Sequence, residues 1–97
     1  MRMLLKVTIP ADKGNETLKD GSLQQTFDKV AKDLKPEASY FLPLDGQRTA
    51  LFFFDMAAVS DLVPAVEPMW MAFDADVELV PVMNLDDLMA GMKKAFG

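Results

Sequence analysis

Short apolar runs alternate along this chain with longer segments that have helical periodicity. Met3 to Ile9, Ala38 to Leu42, Arg48 to Asp55 and Asp76 to Val82 are rich in β-branched, aromatic and aliphatic residues, which favours strands. Asp45-Gly46 separates the second run from the third. Because glycine tolerates the positive φ of a tight turn, this pair predicts a β-hairpin.

The first helical segment follows the turn-forming residues Asp12 to Asn15 and continues to Leu34. We expect an interruption at Asp20-Gly21. Ser22 would then cap the second part, and Gln25 stands three residues later, as in a capping box.

Two more helices are predicted. The second lies within Asp55 to Phe73, where Pro68 should kink or split it because proline lacks an N–H donor. The third starts after Asn84, an effective N-cap, and has a lysine pair near its C-terminal end.

The order β-α-β-β-α-β-α predicts the α+β class and a single domain over residues 1–97. With right-handed crossovers, it favours the ferredoxin-like βαββαβ arrangement with an additional C-terminal helix. This fold has a four-stranded antiparallel sheet with helices on one face. The first and third strands, which are the most apolar, should be central.

Each face of the sheet would carry one set of alternating residues. We expect the helices to cover the set without a charged residue: Leu5, Val7, Ile9, Leu51, Phe53, Val77 and Leu79. The second set contains a charged pair, Lys6 and Glu78, which can interact across neighbouring strands. Its apolar members form the predicted dimer face: Leu4, Leu42, Phe52, Phe54, Val80 and Val82.

An apolar face of this size is larger than soluble monomers usually expose. A two-fold homodimer that packs sheet against sheet would bury it. The alternative is a monomer in which the last helix folds over this face.

Several short stretches resemble the small bacterial proteins of unknown function related to the dimeric α/β-barrel superfamily. They are Gly14-Asn15, Asp20-Gly21-Ser22-Leu23, Leu34-Lys35-Pro36-Glu37-Ala38, Tyr40-Phe41, Glu67-Pro68 and Val77-Glu78-Leu79-Val80-Pro81-Val82-Met83. The resemblance implies a ferredoxin-like protomer, a homodimer with facing sheets and a pocket between sheet and helices. The superfamily includes cofactor-free monooxygenases, isomerases and haem enzymes, and the fold does not select among them.

Six residues are candidates for a ligand site in such a pocket: Trp70, Tyr40, Arg48, Phe53, Asn15 and Glu67. An indole offers a flat surface, and a phenol beside a guanidinium can orient a carboxylate or enolate. Asn15 is expected at a helix N-terminus, where anions bind. Three of these residues have a structural alternative. The indole can be part of the core, the arginine can be solvated, and the asparagine can cap the helix.

Composition excludes several kinds of site. The chain has no cysteine and no histidine, so cysteine-ligated metal centres and histidine-based catalysis are excluded, and no metal or other cofactor is expected. The net charge of −5 argues against nucleic-acid binding, although the third strand weakly resembles an RNA-binding aromatic motif.

No apolar run is long enough to span a membrane. A cytoplasmic protein is expected.

Two functions remain open at this stage. The first is a homodimeric binding or accessory protein with a hydrophobic pocket for a small molecule. The second is a cofactor-independent monooxygenase or isomerase that acts on a hydrophobic aromatic or enolisable substrate. A carboxylate or tyrosine that lines a cavity and has a perturbed pKa would favour the enzyme.

Overall fold

A computed structural model describes all residues, 1–97, and shows a mixed α+β protein with four α-helices and one open sheet. The strands are β1 (Arg2–Ile9), β2 (Ala38–Leu44), β3 (Gln47–Asp55) and β4 (Asp76–Pro81). The helices are α1 (Ala11–Asp20), α2 (Ser22–Leu34), α3 (Leu62–Phe73) and α4 (Leu85–Phe96). A short 3₁₀ helix, Val59–Asp61, precedes α3.

The strands lie in the order β2-β3-β1-β4, and every neighbouring pair is antiparallel. The first and third strands are therefore central, as predicted. The predicted hairpin is also confirmed: β2 and β3 are joined by Asp45 and Gly46 alone, which have φ values of 53° and 78°. Positive φ at both turn residues is typical of the tight turns that match the twist of the paired strands.

One face of the sheet, here called the covered face, packs against α1, α2 and α3. Its side chains are Met3, Leu5, Val7, Ile9, Phe41, Ala50, Phe52, Phe54, Val77 and Leu79. Most of them are buried, together with Val66, Met69 and Phe73 of α3 and Val30 of α2. The apolar stripes of the helices therefore form one core with this face.

The opposite side of the sheet, here called the open face, is not covered by any helix of the protomer. Its side chains are Leu4, Lys6, Thr8, Ala38, Tyr40, Leu42, Leu51, Phe53, Asp76, Glu78 and Val80. Thr49 lies on the same face, opposite Thr8 and Leu42, and is 4% exposed, whereas none of the others is fully buried. The predicted pair of Lys6 and Glu78 is confirmed, since the two residues are cross-strand partners with Nζ and Oε2 3.6 Å apart.

The predicted faces are correct for β1, β2 and β4 but wrong for β3. Phe52 and Phe54 were assigned to the dimer face, yet they are 1% and 2% exposed in the core. Leu51 and Phe53 instead lie on the open face, opposite Lys6 and Leu4. The reason is the register set by the two-residue turn, which brings Tyr40 directly opposite Leu51.

The ends of α1 and α2 differ from the predictions in detail. Asp12 to Asn15 do not form a turn, because α1 begins at Ala11 and the Gly14 N–H donates to the Pro10 carbonyl at 2.8 Å. The interruption at Gly21 is confirmed by its φ of 84°. The predicted capping box is wrong, because the Ser22 hydroxyl donates to Asp20 and caps no backbone N–H.

The later helices are closer to the predictions. Pro68 lies inside α3 without splitting it, since the helix is continuous from Leu62 to Phe73. Asn84 caps α4 as predicted: its side chain accepts a hydrogen bond from the Asp87 N–H, and the Asp87 carboxylate accepts one from the Asn84 N–H. None of the helices has both the length and the hydropathy that crossing a bilayer requires.

Candidate functional site

The concavity with the most apolar lining is a cleft of about 420 Å³ between the β2–β3 hairpin and the helices α1 and α2. Its lining is mostly hydrophobic: Ile9, Leu18, Leu23, Phe27, Phe41, Leu42, Pro43, Arg48, Thr49 and Ala50. This volume is within the range of small-molecule sites. We refer to it as the hairpin cleft.

Aromatic side chains form one wall of the hairpin cleft. Phe27 of α2 contacts Phe41 of β2, with ring centroids 5.4 Å apart, and both rings contact Phe52 at 5.8 Å. Phe52 is buried, whereas Phe41 is 60% exposed although it lies on the covered face. The cleft exists because α1 and α2 do not extend over this end of the edge strand β2.

Arg48 is the only charged residue that lines the cleft. It lies on the covered face, opposite Ile9 of β1 and Pro43 of β2. Its guanidinium makes no ion pair or hydrogen bond within the protein. The other arginine, Arg2, is paired with Glu37 at 2.9 Å. The cleft therefore combines apolar walls with one unpaired positive charge.

Gly14 of α1 makes room for the Arg48 side chain. A Cβ atom at Gly14 would lie 2.8 Å from Nη1 and 3.2 Å from Cδ of Arg48. Contacts below 3 Å are not tolerated, so any larger residue would displace the guanidinium. A glycine in the interior of a helix is otherwise unfavourable. Its position is explained here by the close approach of the arginine.

The groups with perturbed pKa values do not line the cleft. The Glu16 and Asp74 carboxylates raise the pKa of Lys13, which is 3.7 and 3.6 Å from them. Hydrogen bonds from the hydroxyl and the N–H of Ser22 lower the pKa of Asp20. Both residues belong to α1 and lie outside the cleft. No carboxylate and no tyrosine lines the cleft.

The six predicted ligand-site residues do not converge on one pocket, and only Arg48 lines the hairpin cleft. Tyr40 and Phe53 contact each other edge to face, with centroids 6.5 Å apart, but they lie on the open face. The pocket expected between sheet and helices does not include them, because both rings lie on the side of the sheet that no helix covers.

The other three predicted ligand residues lie on helix surfaces. Trp70 of α3 is 46% exposed, so it is neither a fully packed core residue nor part of the cleft. Asn15 is in the second turn of α1 rather than at its N-terminus, since the helix starts earlier than predicted. Glu67 is exposed on α3. The structure does not bring these three residues to the hairpin cleft.

The residues that build the cleft walls were not among the predicted ligand-site residues. Phe27 lies within the first predicted helical segment, Phe41 within a predicted strand and Gly14 within a predicted turn. One available signal was Gly14 itself. A glycine in a segment with helical flanks often marks a close approach by another group.

Among the predicted dimer-face residues, Leu4, Leu42 and Val80 lie on the open face, and Val82 follows β4 with its N–H donating to the Arg2 carbonyl. The apolar side chains of the open face are concentrated at one end. Ala38, Phe53, Leu4 and Val80 form a continuous row across the four strands. The next row contains Tyr40, Leu51 and the Lys6–Glu78 pair.

Comparison with protein-family models and with curated proteins gave no match to this chain. No group of three or more acidic side chains is arranged to hold a metal ion. The hairpin cleft and the open face are therefore the two features of the protein that bear on its function.

Proposed function

We propose that the protein is a cytoplasmic, homodimeric binding protein for a small apolar molecule that carries an anionic group. The hairpin cleft would hold the apolar part, and Arg48 would pair with the anion. The observation that carries this proposal is the unpaired guanidinium of Arg48 in an otherwise apolar cleft of about 420 Å³.

The energetics favour a ligand with both features. Each methylene group transferred from water to the cleft would contribute about 0.8 kcal/mol. A hydrogen bond between a guanidinium and a carboxylate contributes about 1.5–3 kcal/mol, and the planar fork of arginine suits a carboxylate in particular. An uncharged ligand of the same size would gain only the first term. The ligand class is therefore an aliphatic or aromatic carboxylate.

The homodimer is the second part of the proposal. We propose a ferredoxin-like protomer of the dimeric α/β-barrel type, in which the open face of each protomer is buried by the other. The support is the strand order β2-β3-β1-β4 and the apolar row of the open face, in which Leu4 and Phe53 are half-buried and Val80 is exposed. The resemblance to small bacterial proteins of this superfamily belongs to the same proposal.

A cofactor-independent monooxygenase or isomerase is the less favoured function. Such an enzyme needs a group that accepts a proton from its substrate, within hydrogen-bond distance of the reacting atom. The hairpin cleft contains an arginine and a threonine as its polar side chains, and neither is a general base near neutral pH. Binding accounts for the geometry without such a group.

The binding proposal can be tested with octanoate and 1-octanol, two ligands that differ mainly in charge. Isothermal titration should show that the native protein binds octanoate at least about tenfold more tightly than octanol, which corresponds to about 1.4 kcal/mol. Nuclear magnetic resonance signals of Leu23 and Phe27 should shift on binding, because both side chains line the cleft.

Arg48→Met should abolish the preference for octanoate while leaving octanol binding within about twofold. Lys32→Met is the matched control, because Lys32 is an exposed lysine of α2 that does not line the cleft. Equal binding of the two ligands by the native protein would contradict the role of Arg48. Shifts confined to residues outside the cleft would contradict the site.

A further inference from the structure

The last helix, α4, has no packing partner in its own protomer. Its apolar residues follow helical spacing and lie on one face: Leu85, Leu88, Met89, Met92 and Phe96. All of them are exposed, and Phe96 is 81% exposed. The protomer is consequently elongated, with extents of 54, 28 and 18 Å. An amphipathic stripe of this kind is typical of a helix that packs against an apolar surface.

A helix of this length needs such a surface to be stable. Isolated helices shorter than about 12–15 residues are marginal in water, because nucleation is costly. The capping box of Asn84 and Asp87 offsets only part of this cost. The one ionic contact of α4 with the sheet is between Asp87 and Arg2, at 3.4 Å. The formation of the complete helix therefore indicates that α4 packs against another apolar surface.

The open face is an unpartnered apolar surface near the start of α4. Its apolar row of Ala38, Phe53, Leu4 and Val80 lies at the end of the sheet where β4 leads into α4. The stripe of α4 is nevertheless exposed rather than packed on its own sheet. The same chain thus exposes two apolar surfaces that do not meet within one protomer.

We infer that α4 is exchanged between two copies of the chain, so that the stripe of each helix packs on the apolar row of the partner's open face. A two-fold axis makes this contact twice, because each copy supplies one helix and one sheet. This inference rests on the proposed homodimer and specifies what covers the open face.

The exchanged helix enlarges the surface that each copy can bury. Four strands about 4.8 Å apart and six residues long present roughly 400 Å², whereas a standard interface buries about 800 Å² per partner. A helix of 12 residues, about 18 Å long and 10 Å wide, adds roughly 180 Å² from each copy. The surface available from each copy is then roughly 580 Å², which is closer to a standard interface than the sheet face alone.

The charges are also complementary. On the β4 side of the open face, Glu78 is paired with Lys6 at 3.6 Å and Asp76 is the unpaired carboxylate, whereas Lys93 and Lys94 lie in the last turn of α4. A helix that crosses the apolar row of the partner sheet can bring this positive end to the acidic strand. The net charge of −5 would otherwise oppose association of two copies.

The direct test is a mixed dimer prepared from ¹³C-labelled and unlabelled chains of the native protein. An isotope-filtered experiment should show contacts from the methyl groups of Met89 and Met92 in one chain to the rings of Phe53 and Tyr40 in the other. The same contacts within a single chain would overturn the exchange, because α4 would then fold back on its own sheet.

The failure of the exchange can be separated from the failure of the dimer. Interchain contacts between the open faces that lack any α4 signal would overturn the exchange and leave the dimer in place. A monomer in sedimentation at all concentrations would overturn both. A purified dimer with α4 on a surface other than the open face would also contradict the inference.

A pair of variants gives an independent measure. Met92→Glu places a charge within the stripe and should weaken dimerisation at least about a hundredfold. Ala90→Glu adds the same charge on the opposite side of α4 and should change the dissociation constant less than about threefold. The inference is overturned if both variants dimerise like the native protein. Circular dichroism verifies that the rest of the fold is retained.

Discussion

The two faces of the sheet are built from the same four strands, yet they differ in how completely the protomer buries them. On the covered face, Leu5, Val7 and Phe52 are at most 1% exposed and belong to one continuous core. On the open face, Phe53 is half-buried and Tyr40 is 60% exposed, although both side chains are aromatic. Neighbouring residues of one strand therefore have different environments.

This difference shows that the fold and the association of the protein use separate sets of residues. The buried part of the covered face is apolar, as a core requires, and its charged residue Arg48 lies at the exposed hairpin end. The open face combines an apolar row with the Lys6–Glu78 pair, which is the composition of an interface with a polar rim rather than of a core. We therefore expect substitutions on the two faces to have different consequences.

The largest effect on folding is expected from Phe52→Ala. Because the ring is buried among Phe27, Phe41 and the aliphatic core, its removal should lower the free energy of unfolding by about 3–5 kcal/mol. Urea unfolding measures this loss, which should not depend on protein concentration.

Phe53→Ala is the matched control on the same strand. Its cost should be smaller than that of Phe52→Ala at low protein concentration and should increase with concentration, because the ring would be buried only in the dimer. Equal costs for the two substitutions at every concentration would contradict the distinction between the faces.

A smaller effect is expected from Lys6→Met, which removes the charged pair from the open face. The side chain of Lys6 is 30% exposed and that of Glu78 is 68% exposed. Exposed ion pairs contribute about 0.2–1 kcal/mol, so the free energy of unfolding should change by less than about 1 kcal/mol. Glu78→Gln should have a similarly small effect. A loss above 2 kcal/mol in urea unfolding would show that the pair stabilises the protomer itself.

Much of the fold was predictable because its signals are local. Asp45-Gly46 indicated the hairpin, Gly21 the break between α1 and α2, and Asn84 the start of α4. Each of these residues acts through its own backbone conformation or a hydrogen bond a few residues away. Such effects require no knowledge of the tertiary structure.

The orientation of β3 was predicted wrongly because Leu51 to Phe54 are four consecutive apolar residues, which carry no alternation. The turn contained the missing information. A two-residue loop at Asp45 and Gly46 pairs Leu44 with Gln47, and this register places Leu51 on the same side as Tyr40. The turn therefore predicts the orientation of β3 correctly, whereas the hydrophobic pattern of the strand does not.

The hairpin cleft was not predictable in the same way. Its residues come from β1, α1, α2, β2 and β3, and no spacing in the sequence relates Gly14 to Arg48. The start of α1 was also placed too late, which moved Asn15 to a helix end that it does not occupy. A site formed between elements depends on their packing, whereas the predicted residues were chosen for their individual chemistry.

The most direct test of the two-face account is sedimentation equilibrium of the native protein across a dilution series, with Phe53→Glu as the comparison. The account predicts that the native chain of 10.8 kDa sediments with twice that mass and that Phe53→Glu is a folded monomer. A native protein that is monomeric at every concentration would contradict the account, because the open face would then be a solvent-exposed surface.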